Sequence, residues 1–185
     1  MDQFKDRFIQ SLQDERSVWL KGKQIDVTKN ESFQGTLATI TQLYDLFTNP
    51  THQQLVDYLS PKTNTWVHTA FLVSKSYEDI LKRRTAFETW SKMTDGVMSR
   101  LSDYARSRLT GWYTARESYR GLDPQFPDKI SSYYEEARDQ HRFISVIQRD
   151  PQINRPIQHV VNIDEIGLLR MTKKRRMEYF LVVLK

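Results

Sequence analysis

The chain has 185 residues, enough for one domain with a real core, and contains no cysteine. That composition excludes disulfides, thiolate metal sites, iron–sulfur ligation and cysteine nucleophiles together. The net charge of +5 is uneven, because Lys173, Lys174, Arg175 and Arg176 form a single run while the rest of the chain is close to balanced.

No window is long and apolar enough to span a bilayer, and the start, MDQFKDRFIQSLQDE, is charged and amphipathic. The expectation is a soluble cytoplasmic protein. Residues 2–13 place Phe4, Phe8, Ile9 and Leu12 at helical spacing, predicting a short helix with one apolar face. Val18 to Leu20 and Gln24 to Val27 flank Lys21-Gly22-Lys23, a glycine-centred turn between β-prone runs that reads as a small hairpin. Asn30 and Ser32 can cap a helix carrying Leu37, Ile40, Leu43, Tyr44 and Phe47, which Asn49-Pro50 ends.

Thr51 to Ser60 reads as a weaker helix closed by Pro61, and the segment that follows as a second hairpin or irregular pair. Ser76 caps a stronger helix, with Tyr77, Ile80, Leu81, Phe87 and Trp90 expected on one side and Lys82, Arg83 and Glu88 on the other. That helix leads to Gly96 and a loop with Arg100, Asp103 and Tyr104. Ser102 and Asp103 can cap the next helix, expected to run through Leu109, Trp112 and Tyr113 toward Tyr119. GLDPQFPD is a connection, and Ile130, Tyr133, Tyr134, Ala137, His141 and Ile144 mark a last long helix ending before Asp150-Pro151. Beyond it the pattern alternates, and the apolar ending Tyr179 to Leu184 is a candidate strand.

Searches for familiar chemistry return little. The six glycines are scattered singly, so there is no phosphate loop. His52, His68, His141 and His159 are too far apart for a local metal motif, and no nucleophile-elbow serine is present. The nine Tyr, nine Phe and four Trp suit either a pocket for a planar ligand or a helical core. In the loop, Arg100 offers a permanent forked cation and Tyr104 a phenol that can donate or accept a proton. An ordinary surface pair of Arg100 with Asp103, and Tyr104 packed on a helix, is the other reading of the same residues.

The segments FIQSLQDERSVWLKGKQIDVT, SFQGTLATITQLYDL, RRTAFETWSKMTDGVMSRLSDY and DPQINRP, in this order and spacing, resemble the 4-hydroxyphenylacetate 3-monooxygenase family of large flavin-dependent oxygenase components. The resemblance runs from residue 3 to about residue 174. It implies a mainly α fold, the helical N-terminal domain of an acyl-CoA-dehydrogenase-like flavoprotein, with small β-hairpins and the start of a β domain at the C-terminus. It implies reduced FAD as cofactor, a phenolic small-molecule substrate and a separate flavin reductase, with no nucleic acid and no membrane. The related 4-hydroxybutyryl-CoA dehydratases need cysteines for an iron–sulfur cluster and are excluded.

By the same resemblance, Arg100 and Tyr104 are the residues at the phenol to be hydroxylated, although the glycine and proline of the family motif are missing from Met98 to Tyr104. A cationic or phenolic donor there stabilises the substrate oxygen as the ring is attacked. The family's third polar group, a histidine, falls on Val146, which can neither hydrogen-bond nor exchange a proton. Gln152, Ile153, Asn154 and Arg155 correspond to flavin contacts.

The expected organisation is a helical oxygenase domain over 1–150, the start of a truncated β domain over 151–174, and an out-of-frame tail over 175–185. A one-base shift turns the codons of Met177 to Tyr179 and of Val182 to Lys185 into sequences matching the family's glycine-containing β-domain opening. The lineage function is then phenol hydroxylation, this chain being an inactive truncated form. The alternatives are a non-catalytic remnant or interaction domain, with self-association through uncovered apolar faces, and a small basic nucleic-acid binder resting on the Lys173 to Arg176 run.

Overall fold

The computed structural model describes residues 3–96, 103–145 and 182–183. The chain divides into two compact units, Met1–Ile144 with Leu184–Lys185, and Ser145–Val183. Of the second unit only Ser145 and the short strand Val182–Val183 (β6) are described. That strand lies within the expected Tyr179 to Leu184 run.

The first unit is mainly helical. Helix α1, Gln3–Ser11, turns its apolar face inward. The hairpin of β1, Val18–Leu20, and β2, Lys23–Ile25, pairs Leu20 with Lys23 across a two-residue turn. Lys21 and Gly22 both have positive φ, 51° and 77°, which makes this a type I′ turn whose twist matches that of the strands. Helix α2, Glu31–Thr48, starts at Asn30, whose side chain accepts the Ser32 N–H. It stops at Asn49, which accepts the Thr51 N–H at the start of α3, Pro50–Val56.

Three segments depart from the sequence expectation. The weak helix ends at Val56 rather than Ser60, and Asp57–Leu59 is a strand, β3, paired with β4, Trp66–His68, so that Asp57 faces His68. The expected helix from Ser102 toward Tyr119 is shorter, α5, Tyr104–Thr114, followed by a 3-10 turn at Arg116–Tyr119. The last long helix is α6, Phe126–Asp139, and does not reach Ile144. It ends because His141 takes a left-handed conformation, φ 52°, while the His141 and Arg142 N–H groups return to the carbonyls of Arg138 and Ala137. This is the Schellman arrangement, with histidine where glycine is commonest. Ile144 and Ser145 then form β5.

The core gathers Phe8 of α1 and Leu12 just past it, Ile40, Leu43, Tyr44, Leu46 and Phe47 of α2, Val56 of α3, and Phe143. Ala86 and Trp90 of α4, Tyr77–Met93, complete it. Each large apolar side chain so buried stabilises the fold by about 1.5–3 kcal/mol relative to exposure. Helix α4 is held at its start by a reciprocal capping box between Ser76 and Asp79. Its expected apolar side is only half used. Trp90 is buried, but Tyr77 and Ile80 are 69% and 56% exposed, and Leu81 is exposed as well. Arg83, expected on the solvent side, reaches inward instead.

The 3-10 turn Thr69–Phe71 is where the elements meet. The Ala70 carbonyl accepts from Thr110 Oγ1 of α5 at 2.9 Å and from Arg83 Nη1 at 3.2 Å. The Phe71 carbonyl accepts from the hydroxyls of Tyr58 and Tyr134, and the Leu72 carbonyl from Arg83 Nη1 at 2.7 Å.

Candidate functional site

The candidate site is the junction of α4 and α5. Helix α4 ends in a second Schellman stop. Thr94 is the C-cap, Asp95 (φ 48°) and Gly96 (φ 77°) are both left-handed, and the Gly96 N–H returns to the Ser91 carbonyl at 2.7 Å. Gly96 is the residue type such a turn requires. Residues 97–102 follow, so Arg100 and the expected cap Ser102 lie outside the described residues, as do Val146 and Gln152, Ile153, Asn154 and Arg155. Description resumes at Asp103, the N-cap of α5, and Tyr104, its first residue.

Tyr104 is 46% exposed, its hydroxyl 3.5 Å from Arg108 Nη1. The residue is thus partly exposed and has a cation one helical turn away. Asp103 sits at the N-cap position but makes no side-chain cap bond. Its Oδ1 is buried without a hydrogen-bond partner, and burial holds its carboxyl above the ordinary carboxylate range despite nearby Arg106 and Arg83.

Beside Asp103 lies a cleft of about 520 Å³, bounded by Ser74 and the outward face of α4 from Ile80 to Ser91. Its volume falls in the range of small-molecule sites. Ile80 and Phe87 supply apolar surface, and Arg84 on its rim is engaged by Glu88 at 2.7 Å.

Two arginines fasten this region. Arg83 of α4, pushed down from its ordinary pKa by burial, spans the carbonyls of Ala70 and Leu72 and donates to Ser107 Oγ of α5 at 2.9 Å. Arg106 of α5 is almost wholly buried and donates through Nε and Nη2 to the Arg142 carbonyl at 3.2 and 3.0 Å. Its guanidinium lies about 6 Å from the ring centres of Phe47, Phe71 and Phe143.

Behind Arg106 is a buried polar group that sequence reading passed over. Asp57 is fully buried with neither carboxylate oxygen hydrogen-bonded, and burial pushes its carboxyl up to about 8, opposed by Arg106 and Lys82. His68 accepts the Ala70 N–H on Nδ1, its ring centre lies 3.6 Å from that of Trp90 with the planes tilted by 36°, and burial lowers its pKa. His141, against Phe4 and Phe47, is lowered to about 4, again mainly by burial. The signal for Arg106 was present in the sequence, since it shares a helix face with Leu109 and Thr110 at three and four residues, all buried. Nothing local announces Asp57, because its burial comes from strand pairing and from helices distant in sequence.

Among the described residues no cluster of three or more metal-ligating side chains exists, and no helix is long and apolar enough to cross a membrane.

Comparison with known proteins supplies the lineage. The family model described as 4-hydroxyphenylacetate 3-hydroxylase N terminal matches residues 5–177. The 4-hydroxyphenylacetate 3-monooxygenase oxygenase component of Geobacillus sp. is 29% identical over 140 residues, covering 75% of this chain and 28% of the relative. That of Thermus thermophilus is 28% identical over 162 residues, covering 85% and 32%. A crystal structure of such an oxygenase component, complexed with FAD and 4-hydroxyphenylacetate, superposes with a TM-score of 0.70 at 25% identity, covering 82% of this chain and 31% of that one. The chain thus spans less than a third of the length of these relatives.

Proposed function

The chain belongs to the 4-hydroxyphenylacetate 3-hydroxylase N-terminal family, and from that premise we propose that it forms the helical, substrate-side part of a reduced-FAD-dependent phenol hydroxylase. The observation that carries this reading is the family match over 5–177, which takes in the α4–α5 junction. The likeness in fold to an oxygenase complexed with FAD and 4-hydroxyphenylacetate supports it. The ligand is a phenol, reduced FAD is supplied by a separate flavin reductase, the chain works in the cytoplasm, and neither nucleic acid nor membrane takes part.

The described residues suit the phenol better than the flavin. Tyr104, a half-exposed residue, carries a phenol suited to a substrate oxygen, and the cleft beside Asp103 offers Ile80 and Phe87 to an aromatic ring. No glycine-rich turn is present in the sequence to cradle a dinucleotide phosphate. When bound, reduced FAD would supply the electrons that activate dioxygen for transfer of one oxygen atom to the ring. This chain's contribution is to orient the phenol and to hold or accept its proton, with Arg100 and Tyr104 as the groups at the substrate oxygen. Gln152, Ile153, Asn154 and Arg155 are assigned to the flavin.

The test is anaerobic titration of the purified chain with reduced FAD, followed by 4-hydroxyphenylacetate. Saturable binding of both, with phenol binding weakened in Tyr104→Phe, is the expected result. A chain that binds neither acts instead as a non-catalytic relative.

A further inference from the structure

Resting on the assignment of Tyr104 to the phenol, we infer that Arg83 and Arg106 are positioning residues, two guanidinium clamps that set the first turn of α5 and with it the place of the Tyr104 ring. The start of α5 lacks the usual local anchor, because Asp103 makes no side-chain cap bond. What fixes that turn comes from elsewhere. Arg83 reaches from α4 to Ser107 Oγ, three residues past Tyr104, while its other nitrogen holds the carbonyls of Ala70 and Leu72. Arg106, two residues past Tyr104, holds the Arg142 carbonyl at the corner after α6. A third link, Thr110 Oγ1 to the Ala70 carbonyl, lies a turn further along α5.

The chemistry of these contacts argues for placement beyond simple cohesion. Neither arginine has a carboxylate within ion-pair distance among the described salt bridges. Burying a cation without a counterion is costly, and an apolar side chain of the same volume serves cohesion at least as well. A guanidinium, however, is a rigid planar fork that fixes several acceptors in defined directions, which an apolar contact does not. Arg83 ties three chain segments through one such plane. A reacting phenol needs its partners held to within a fraction of an ångström, and rigid elements locked by a supporting shell provide that.

The test uses the full chain and equilibrium binding of 4-hydroxyphenylacetate and of phenylacetate, which lacks the hydroxyl, read by ligand-observed NMR beside urea unfolding. Arg83→Lys keeps the charge and loses the fork. It is expected to weaken 4-hydroxyphenylacetate binding on the order of tenfold and to shrink the preference over phenylacetate. Val56→Ala, a core truncation in α3 that removes no side-chain hydrogen bond, is expected to lower the urea midpoint at least as much and to keep both affinities. Arg106→Lys is expected to act like Arg83→Lys, and if it does not fold, Arg83→Lys decides. Retained preference in Arg83→Lys, or equal loss in Val56→Ala, overturns the clamp. Tyr104→Phe separates the two ideas. If it erases the hydroxyl preference while Arg83→Lys keeps it, only the clamp falls; if the wild-type chain shows no preference, the assignment of Tyr104 falls and the clamp with it.

Discussion

Replacing Asp57 by Asn should reverse a pH dependence that the wild-type fold carries between pH 6.5 and 8. Asp57 is fully buried, lacks hydrogen-bond partners, and has its carboxyl pushed up to about 8, whereas in the unfolded chain it titrates near 4. A carboxyl with a raised folded pKa contributes stability that is complete below the unfolded value and is lost as pH rises through the folded value. Two buried histidines act in the opposite sense. His141, at about 4, and His68, also lowered, reach their full contribution only about a pH unit above the unfolded value of about 6.5 and lose it on acidification. Between pH 6.5 and 8 Asp57 lowers stability with a slope of at most about 1.4 kcal/mol per pH unit that flattens toward pH 8, about 1.6 kcal/mol across the window. The two histidines, half-protonated in the unfolded chain at pH 6.5, return about 0.8 kcal/mol, so the net fall is about 0.8 kcal/mol. Urea unfolding followed by tryptophan fluorescence at four pH values across the window measures this directly. Wild type should fall by about 0.8 kcal/mol and Asp57→Asn should rise by about as much, the two curves diverging by about 1.6 kcal/mol across the window. A wild-type curve that is flat, or a variant that falls in parallel, refutes the picture of an unpartnered buried acid.

On the acid side, two histidines oppose one carboxyl, so stability should also fall below about pH 6, with its maximum near pH 6.5, in the same unfolding series. Ser76→Ala removes the hydroxyl half of the capping box on α4, while the backbone N–H at 76 can still donate to Asp79, and should cost about 1 kcal/mol, read as a lower urea midpoint with unchanged slope. Lys21→Asn places at the first position of the type I′ turn a residue that tolerates positive φ, and should raise stability by about 0.5 kcal/mol. An unchanged or lower midpoint would count against the turn assignment. In phenol binding, Tyr104→Phe should remove the preference for a hydroxylated ligand over phenylacetate.

The helices carrying the core were readable because their signals are local. Asn30, Asn49 and Ser76 each cap where their side-chain chemistry predicts, and Ile40, Leu43, Tyr44 and Phe47 follow the 3.6-residue period into the interior. The misses share a cause as well. His141 and Ile144 continue the period of α6 and are buried, so the pattern runs on while the backbone turns left-handed beneath it. Ile80 and Leu81 follow the apolar pattern yet stay exposed, since the pattern records that a face is apolar and not what covers it. Arg83 was misread and Asp57 passed over because a charged side chain is expected outside, and their placement depends on carbonyls and strands remote in sequence. At the site, the Arg100 to Tyr104 motif was legible only by resemblance, whereas the clamps around Tyr104 are tertiary.

The convergence on Ala70, Phe71 and Leu72 has a consequence for how this protein tolerates change. Four side chains, Tyr58, Arg83, Thr110 and Tyr134, aim at three successive carbonyl oxygens, atoms that every amino acid possesses. The hub is therefore written in the trace of the backbone and not in the identity of its residues. Scanning this turn by alanine would miss it, and homologues can drift in letters there while keeping the same hub. Its vulnerability lies in length and direction: one inserted or deleted residue would rotate all three acceptors away at once, releasing β3, α4, α5 and α6 together.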